Sequence, residues 1–303
     1  MNVKKNIKVF AILLIAILAL FGCSSNETNQ SVNKNGSDAK SEWPDKLRFA
    51  VTDVEGMEEL RTTFGPFKEK LEELIDMEIE YFAVTDRAVG TTALEYDQVD
   101  ILLAGPSEYA QLKSVMPEVE PMVAIERENY YSAVIVHEDS PYKSLEDLKG
   151  KKVAMSDAGS TSGHIGPSII FMEAGFDLDK DLEIMLLGDL RIDAFKNNEV
   201  DALATRMTDY LKMVEEDGEG KYRILTEGPP LPSDPFVANP KLPEDLITFI
   251  KNTMMENQEE IIESIVSAGG ENDKFAGAKL IESKDADYDS MREAYRALGI
   301  ELQ

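Results

Sequence analysis

Between residues 47 and 216 the chain alternates short apolar segments of period two with longer segments whose apolar residues recur at helical spacing. Leu47, Phe49 and Val51 mark a first strand; Leu60, Phe64, Phe67, Leu71, Leu74 and Ile75 then mark a helix over 57–76. The same reading predicts strands near 79–82, 100–103, 132–137, 152–155, 183–187 and 201–204. It predicts helices near 88–95, 144–148, 162–174, 191–197 and 209–216, and a helical C-terminal third over 243–268 and 285–298. Such alternation specifies an α/β fold with helices on both faces of each sheet. Ligands of open α/β sheets bind at strand C-terminal ends, so the loops leaving the strands are where a site is expected.

Composition narrows the function. The 303 residues suffice for one large or two medium domains, and 43% are hydrophobic. One cysteine excludes an intramolecular disulfide, and two histidines leave little for a zinc site, so neither metal nor cofactor is expected. The formal charge of −27 becomes −30 without residues 1–22, which carry Lys4, Lys5 and Lys8. A chain this acidic lacks the basic face that nucleic acid requires, and any anion site must act locally against the field of the whole protein.

The N-terminus reads as an export signal. Three lysines precede a thirteen-residue apolar run over 9–21, which is short for a membrane span of about 20 residues. Leu20-Phe21-Gly22-Cys23 then resembles a bacterial lipobox, with Phe21 departing from the usual small or β-branched residue. Cys23 is the expected lipidation site, on the extracytoplasmic face of the cell membrane. Residues 24–42 hold no aromatic and only one large aliphatic side chain, Val32, and read as a flexible tether spanning about 24 Å.

The loop that best suits ligand chemistry is Asp157-Ala158-Gly159-Ser160-Thr161-Ser162-Gly163, between the strand KKVAM and an apolar helix. Glycines let the backbone approach a ligand, and hydroxyls with the free N–H groups of a helix start can converge on one oxyanion. Serines and threonines at a helix start also serve as plain N-caps. A nucleophile elbow needs Ser at the centre of G-x-S-x-G, where this chain has Thr161, and no G-x-x-x-x-G-K-[ST] loop occurs. With His137 and His164 as its only histidines, the chain is not expected to be an enzyme.

At these residues the chain resembles the substrate-binding proteins of phosphate/phosphite/phosphonate ABC importers. The likeness runs from about 46 to 300 and rests on YYSAVIVHEDSPYKSLEDLKGKKVA (130–154), GSTSG (159–163), EVDALA (199–204) and PPLPSDPFV (229–237), with VDILLAGPSEY (99–109) in support. It implies a two-lobed periplasmic-binding-protein fold of type II: residues 44–130 and 236–303 in the first lobe, 131–235 in the second, and crossings near 126–131 and 230–237. It implies that Ser160, Thr161 and Ser162 hold the oxyanion, with Gly163 in the same loop. Asp209 and Asp234 match acidic positions that hold the amine of an aminoalkylphosphonate in some members. The expected partners are an ABC permease and its ATPase, and the expected state is a monomer.

Three positions depart from that pattern. Arg87 stands where relatives that bind aminoalkylphosphonates tend to have tyrosine, Ala104 where they often have an aromatic residue, and Gly188-Asp189 where some have a histidine. A guanidinium grips phosphonate or carboxylate in bidentate fashion, so Arg87 is a candidate ligand contact, as is Asp189. His164, Tyr109 and Tyr131 are candidate pocket walls. Arg87 with the three aspartates would suit a zwitterion carrying phosphonate and amine. A bare phosphite or phosphate, another small organic anion and a sensing rather than importing role stay open.

Overall fold

The computed structural model describes residues 43–302. The signal segment, most of the tether and Cys23 lie outside those residues. The strands are β1 (Lys46–Val51), β2 (Glu78–Tyr81), β3 (Ile101–Leu103), β4 (Pro121–Glu126), β5 (Ser132–His137), β6 (Lys151–Met155), β7 (Leu182–Leu186), β8 (Ala202–Arg206), β9 (Tyr222–Glu227), β10 (Asp234–Ala238) and β11 (Lys279–Ile281). The helices are α1 (Met57–Ile75), α2 (Arg87–Glu95), α3 (Pro106–Val115), α4 (Gly166–Glu173), α5 (Leu178–Asp181), α6 (Arg191–Lys196), α7 (Met207–Asp217), α8 (Glu244–Glu256), α9 (Gln258–Val266) and α10 (Asp289–Ala297).

The strands form two mixed sheets, in the orders β11-β4-β10-β3-β1-β2 and β7-β6-β8-β5-β9. Helices flank both, giving the α/β architecture predicted from the alternation and the two lobes that the family resemblance implies. The chain leaves the first sheet after β4 and returns to it at β10, so residues 127–131 and 228–233 are the two crossings. Asp234 pairs with Ile125 and Pro235 with Ala124, so the expected lobe boundary after residue 235 falls inside β10 and the return is complete at Asp234.

Each lobe has its own core. On one face of the first sheet, Phe49, Phe64, Phe67 and Phe236 interlock with Leu60, Leu71 and Ile250. Each fully buried side chain of this size contributes about 1.5–3 kcal/mol. In the second lobe, Val134, Val153, Phe171 and Ala204 pack on one face of the sheet, and Phe195, Leu203 and Met213 on the other. A small cluster of Ala110, Ile165, Met291 and Tyr295 joins the lobes behind the cleft.

The expected helix over 243–268 is two helices. Asn257 ends α8 and starts α9, and its Nδ2 donates to the Thr253 carbonyl at 2.8 Å. A side-chain amide that competes for backbone groups in this way favours a break. Sequence reading also passed over α3, though Pro106 at its first position after Gly105 is a helix-start signal.

Candidate functional site

The cleft between the lobes holds a cavity of about 200 Å³. Its walls are strand ends, as open α/β sheets dictate: Asp53 follows β1, Gly105 follows β3, Arg127 follows β4, Ser156 follows β6, and Thr205 and Arg206 close β8. Asp234, at the start of the antiparallel β10, comes to the same edge.

The loop after β6 forms the second lobe's wall. Gly159 makes its turn in the left-handed region at φ 86°, and the chain then enters a wide turn, Thr161–Ile165, that runs into α4. In that turn the Ile165 N–H donates to the Ser160 carbonyl at 2.9 Å and the Gly166 N–H to the Thr161 carbonyl, a five-residue spacing of the kind that recurs at functional sites. Thr161, Ser162 and Gly163 open the helix, so their N–H groups have no carbonyl one turn before them and carry the positive end of its dipole. Gly163 allows the turn to close on β6. A Cβ there would meet the Ser156 Cβ at 2.5 Å, and the Ser156 N–H donates to the Gly163 carbonyl at 2.9 Å.

The three hydroxyls of this loop are used differently. Thr161 Oγ1 accepts the Ser107 N–H at 3.1 Å and lies 2.7 Å from Ser107 Oγ, which also reaches the Gly159 carbonyl at 2.6 Å. Since Ser107 starts α3 in the first lobe, Thr161 ties the lobes together. Ser160 and Ser162 line the cavity, and neither Oγ has a hydrogen-bond partner among the described residues.

The remaining walls are built of ion pairs. Arg127 Nη2 donates to Asp234 Oδ1 at 3.1 Å and its Nε lies 2.8 Å from Oδ2, with both side chains more than nine-tenths buried. Arg87 Nη1 donates to Glu108 at 2.7 Å, and Lys274 pairs with Asp53 at 2.5 Å. Asp209 is held three times, by Arg191 Nη2 at 2.7 Å, Arg206 Nε at 2.6 Å and Thr205 Oγ1 at 2.5 Å. Arg206 also reaches across the cleft to Glu271 at 2.7 Å. Burial pushes the Asp234 carboxyl up to about 6 in spite of Arg127 and Lys274. Burial opposes ionisation at Asp209 and Asp53 too, but there the facing cations win and hold both carboxyls below the usual range.

The expected site residues therefore divide. Ser160, Thr161, Ser162, Gly163, Arg87, Asp189 and Asp234 line the cavity. Asp209 lies just behind it, enclosed by its two arginines. Three expected wall residues are elsewhere. Tyr109 is fully buried in the first lobe, its ring 4.4 Å from that of Tyr288 and its hydroxyl on Asp285, because α3 turns it inward. His164 supports the loop from outside the cavity, its Nδ1 accepting the Gly159 N–H at 3.0 Å. Tyr131 faces a groove at the crossings, and its neighbour Tyr130 lines the cavity instead. Sequence reading missed Asp53, Arg127, Tyr130, Arg191, Arg206, Glu271 and Lys274. Among the described residues no group of His, Cys, Asp and Glu could hold a metal ion, and no helix is long and apolar enough to cross a membrane.

Residues 49–288 match the family described as ABC transporter, phosphonate, periplasmic substrate-binding protein. The phosphate-import protein PhnD of Mycolicibacterium smegmatis is 22% identical, over 99% of each chain. The phosphonates-binding periplasmic protein of Escherichia coli is 25% identical over 69% of this chain and 65% of its own length. The fold matches PhnD1 of Prochlorococcus marinus, solved in complex with methylphosphonate, with a TM-score of 0.71 at 17% identity, covering 84% of this chain and 98% of that one. A family match over most of the chain, on two lobes that enclose a small polar cleft, makes this protein a member of the phosphonate periplasmic substrate-binding family of ABC transporters, a transport component and not an enzyme.

Proposed function

We propose that this protein captures a small phosphonate-type oxyanion (a phosphonate, phosphite or phosphate) between its lobes and delivers it, as a monomer, to an ABC permease with its ATPase. The observation that carries the reading is the helix opening at Thr161: residues 160–163 line one cavity, with two serine hydroxyls that have no hydrogen-bond partner among the described residues and three N–H groups that have none in the helix. Donors arranged in this way bind an oxyanion without a lysine and against a negative overall charge. Capture works by hinge closure about the crossings at 127–131 and 228–233, and the Ser107–Thr161 and Arg206–Glu271 contacts across the cleft supply its closed form. Titration calorimetry of ligand-stripped protein with phosphite, phosphate, methylphosphonate and 2-aminoethylphosphonate tests the reading. Saturable binding of at least one is expected, and no heat from any of them overturns it.

We propose further that Cys23 is lipidated after removal of residues 1–22, which keeps the binding cup near its permease on the extracytoplasmic face of the membrane. The position of the chain's single cysteine behind a thirteen-residue apolar run supports this. Metabolic labelling with a fatty-acid probe should mark the wild-type protein and leave Cys23→Ser unmarked; equal labelling of the two contradicts it.

A further inference from the structure

The buried carboxylates of the cleft already have cations of their own. Asp234 and Asp209 are the positions that an ammonium on the ligand would address. Asp234 is paired with Arg127 along the cavity wall, and Asp209 is enclosed by Arg191 and Arg206. A ligand ammonium would have to displace a guanidinium that is itself buried, or lie beside one of like charge. Carboxylates without a close ion pair remain only at the mouth, among them Glu55, Glu59 and Asp157, and they are exposed to water that weakens any pairing there. The lining also offers no apolar wall. Tyr130 supplies its one aromatic ring, and the Arg127 guanidinium lies over that ring at 3.3 Å from its centroid. A volume of about 200 Å³ falls below the range of roughly 300–1,000 Å³ common for larger ligands.

Building on the oxyanion reading above, we infer that the site selects oxyanions that carry neither a cationic group nor a bulky apolar one, with Arg127 as a specificity-determining residue that takes the place of a ligand amine at Asp234. The selected ligands are a bare oxyanion or one with a methyl-sized neutral substituent. This reverses the zwitterionic ligand that Arg87 and the three aspartates suggested in the sequence.

The test ranks dissociation constants of the wild-type protein for phosphite, phosphate and methylphosphonate against 2-aminoethylphosphonate. At least one of the first three should bind about tenfold more tightly than the amine. In Arg127→Met the preference should shrink or reverse, because the ligand ammonium can then neutralise Asp234. Tighter or equal binding of 2-aminoethylphosphonate by the wild type overturns the inference while leaving the oxyanion reading intact. No binding by any of the four removes the oxyanion reading and this inference with it. The wild-type ranking decides the matter even if Arg127→Met does not fold; if the variant folds and keeps the wild-type ranking, Arg127 is not the determinant.

Discussion

The opening of the Thr161 helix and the ion-paired walls around it are both polar and both largely buried, yet their hydrogen-bonding groups are in opposite states. At the helix opening, Ser160 and Ser162 carry hydroxyls that no group among the described residues engages. Around it, Arg127, Arg191, Arg206 and Lys274 are each matched to a carboxylate of the chain. Hydroxyls that open on a cavity and are not engaged by the chain can bond a ligand at no cost in protein contacts, so the first arrangement suits a ligand that accepts from them. The second holds its charges in pairs without a ligand and fixes the shape of the walls, although Arg87 and Arg127 each keep a buried Nε that makes no hydrogen bond among the described residues. Charge alone is thus a poor guide to where an anion binds, because the arginines at the cavity already face carboxylates of the chain.

Breaking the paired side should cost the most. Asp209→Ala leaves Arg191 and Arg206 facing each other in a buried place, and a loss of about 3–5 kcal/mol is expected in denaturant unfolding. A change below 1 kcal/mol would show that the network is loosely solvated.

The next effect separates the pairs from one another by pH. Burial raises the Asp234 carboxyl to about 6 despite Arg127 and Lys274, with Asp53 and Glu108 adding to the rise. The unfolded value is about 3.9, so between roughly pH 4 and 6 the folded state holds the extra proton. Stability therefore falls as pH rises through this window. Asp209 and Glu271, whose carboxyls are lowered, have the opposite effect, and their contribution is lost only as pH falls through the ordinary carboxylate range and below. Going from pH 7 to 5, the protein should gain about 1.3 kcal/mol from Asp234, and Asp234→Asn should abolish that gain. A pH-independent wild type over this range would mean that Arg127 compensates Asp234 fully.

At the helix opening the signature is inverted, with binding lost and stability kept. Ser160→Ala and Ser162→Ala should each weaken oxyanion binding by about 1.5–2.5 kcal/mol, roughly 10- to 70-fold in dissociation constant, with the unfolding midpoint unchanged. Thr161 belongs to neither class, because its hydroxyl engages the first lobe. Ser107→Ala removes that hydroxyl contact without touching the cavity lining and should weaken binding by only about 0.5–1.5 kcal/mol, through a less stable closed form. A loss as large as that of Ser160→Ala would place Ser107 among the ligand contacts.

This contrast was half legible in the sequence. The alternation of strands and helices and the loop Ser160–Gly163 follow from local periodicity and from a hydroxyl-rich helix start, which are written within a dozen residues; the two-lobed class comes from the family resemblance. Apart from Arg206–Asp209, three residues apart, the pairs are not local. Arg127 and Asp234 are 107 positions apart, and Arg206 and Glu271 are 65 apart, so no window reveals them. Asp209 and Asp234 therefore looked free to hold a ligand amine when each already had an arginine. Tyr109 lies outside the cavity for a related reason: its ring direction is set by α3, whose weak apolar periodicity does not mark it as a helix in the sequence. Tyr131 and Tyr130 alternate across the first crossing, and a shift of one residue decides which of them reaches the cavity.

The most direct test of the central claim is a crystal structure of the protein with the tightest oxyanion of the panel bound. Ligand oxygens are expected within hydrogen-bonding distance of Ser160 Oγ, Ser162 Oγ and the N–H groups of Thr161–Gly163, with the Arg127–Asp234 and Arg191–Asp209 pairs intact. An oxyanion held instead by Arg127 or Arg206, with those pairs opened and the two serine hydroxyls unengaged, would contradict it.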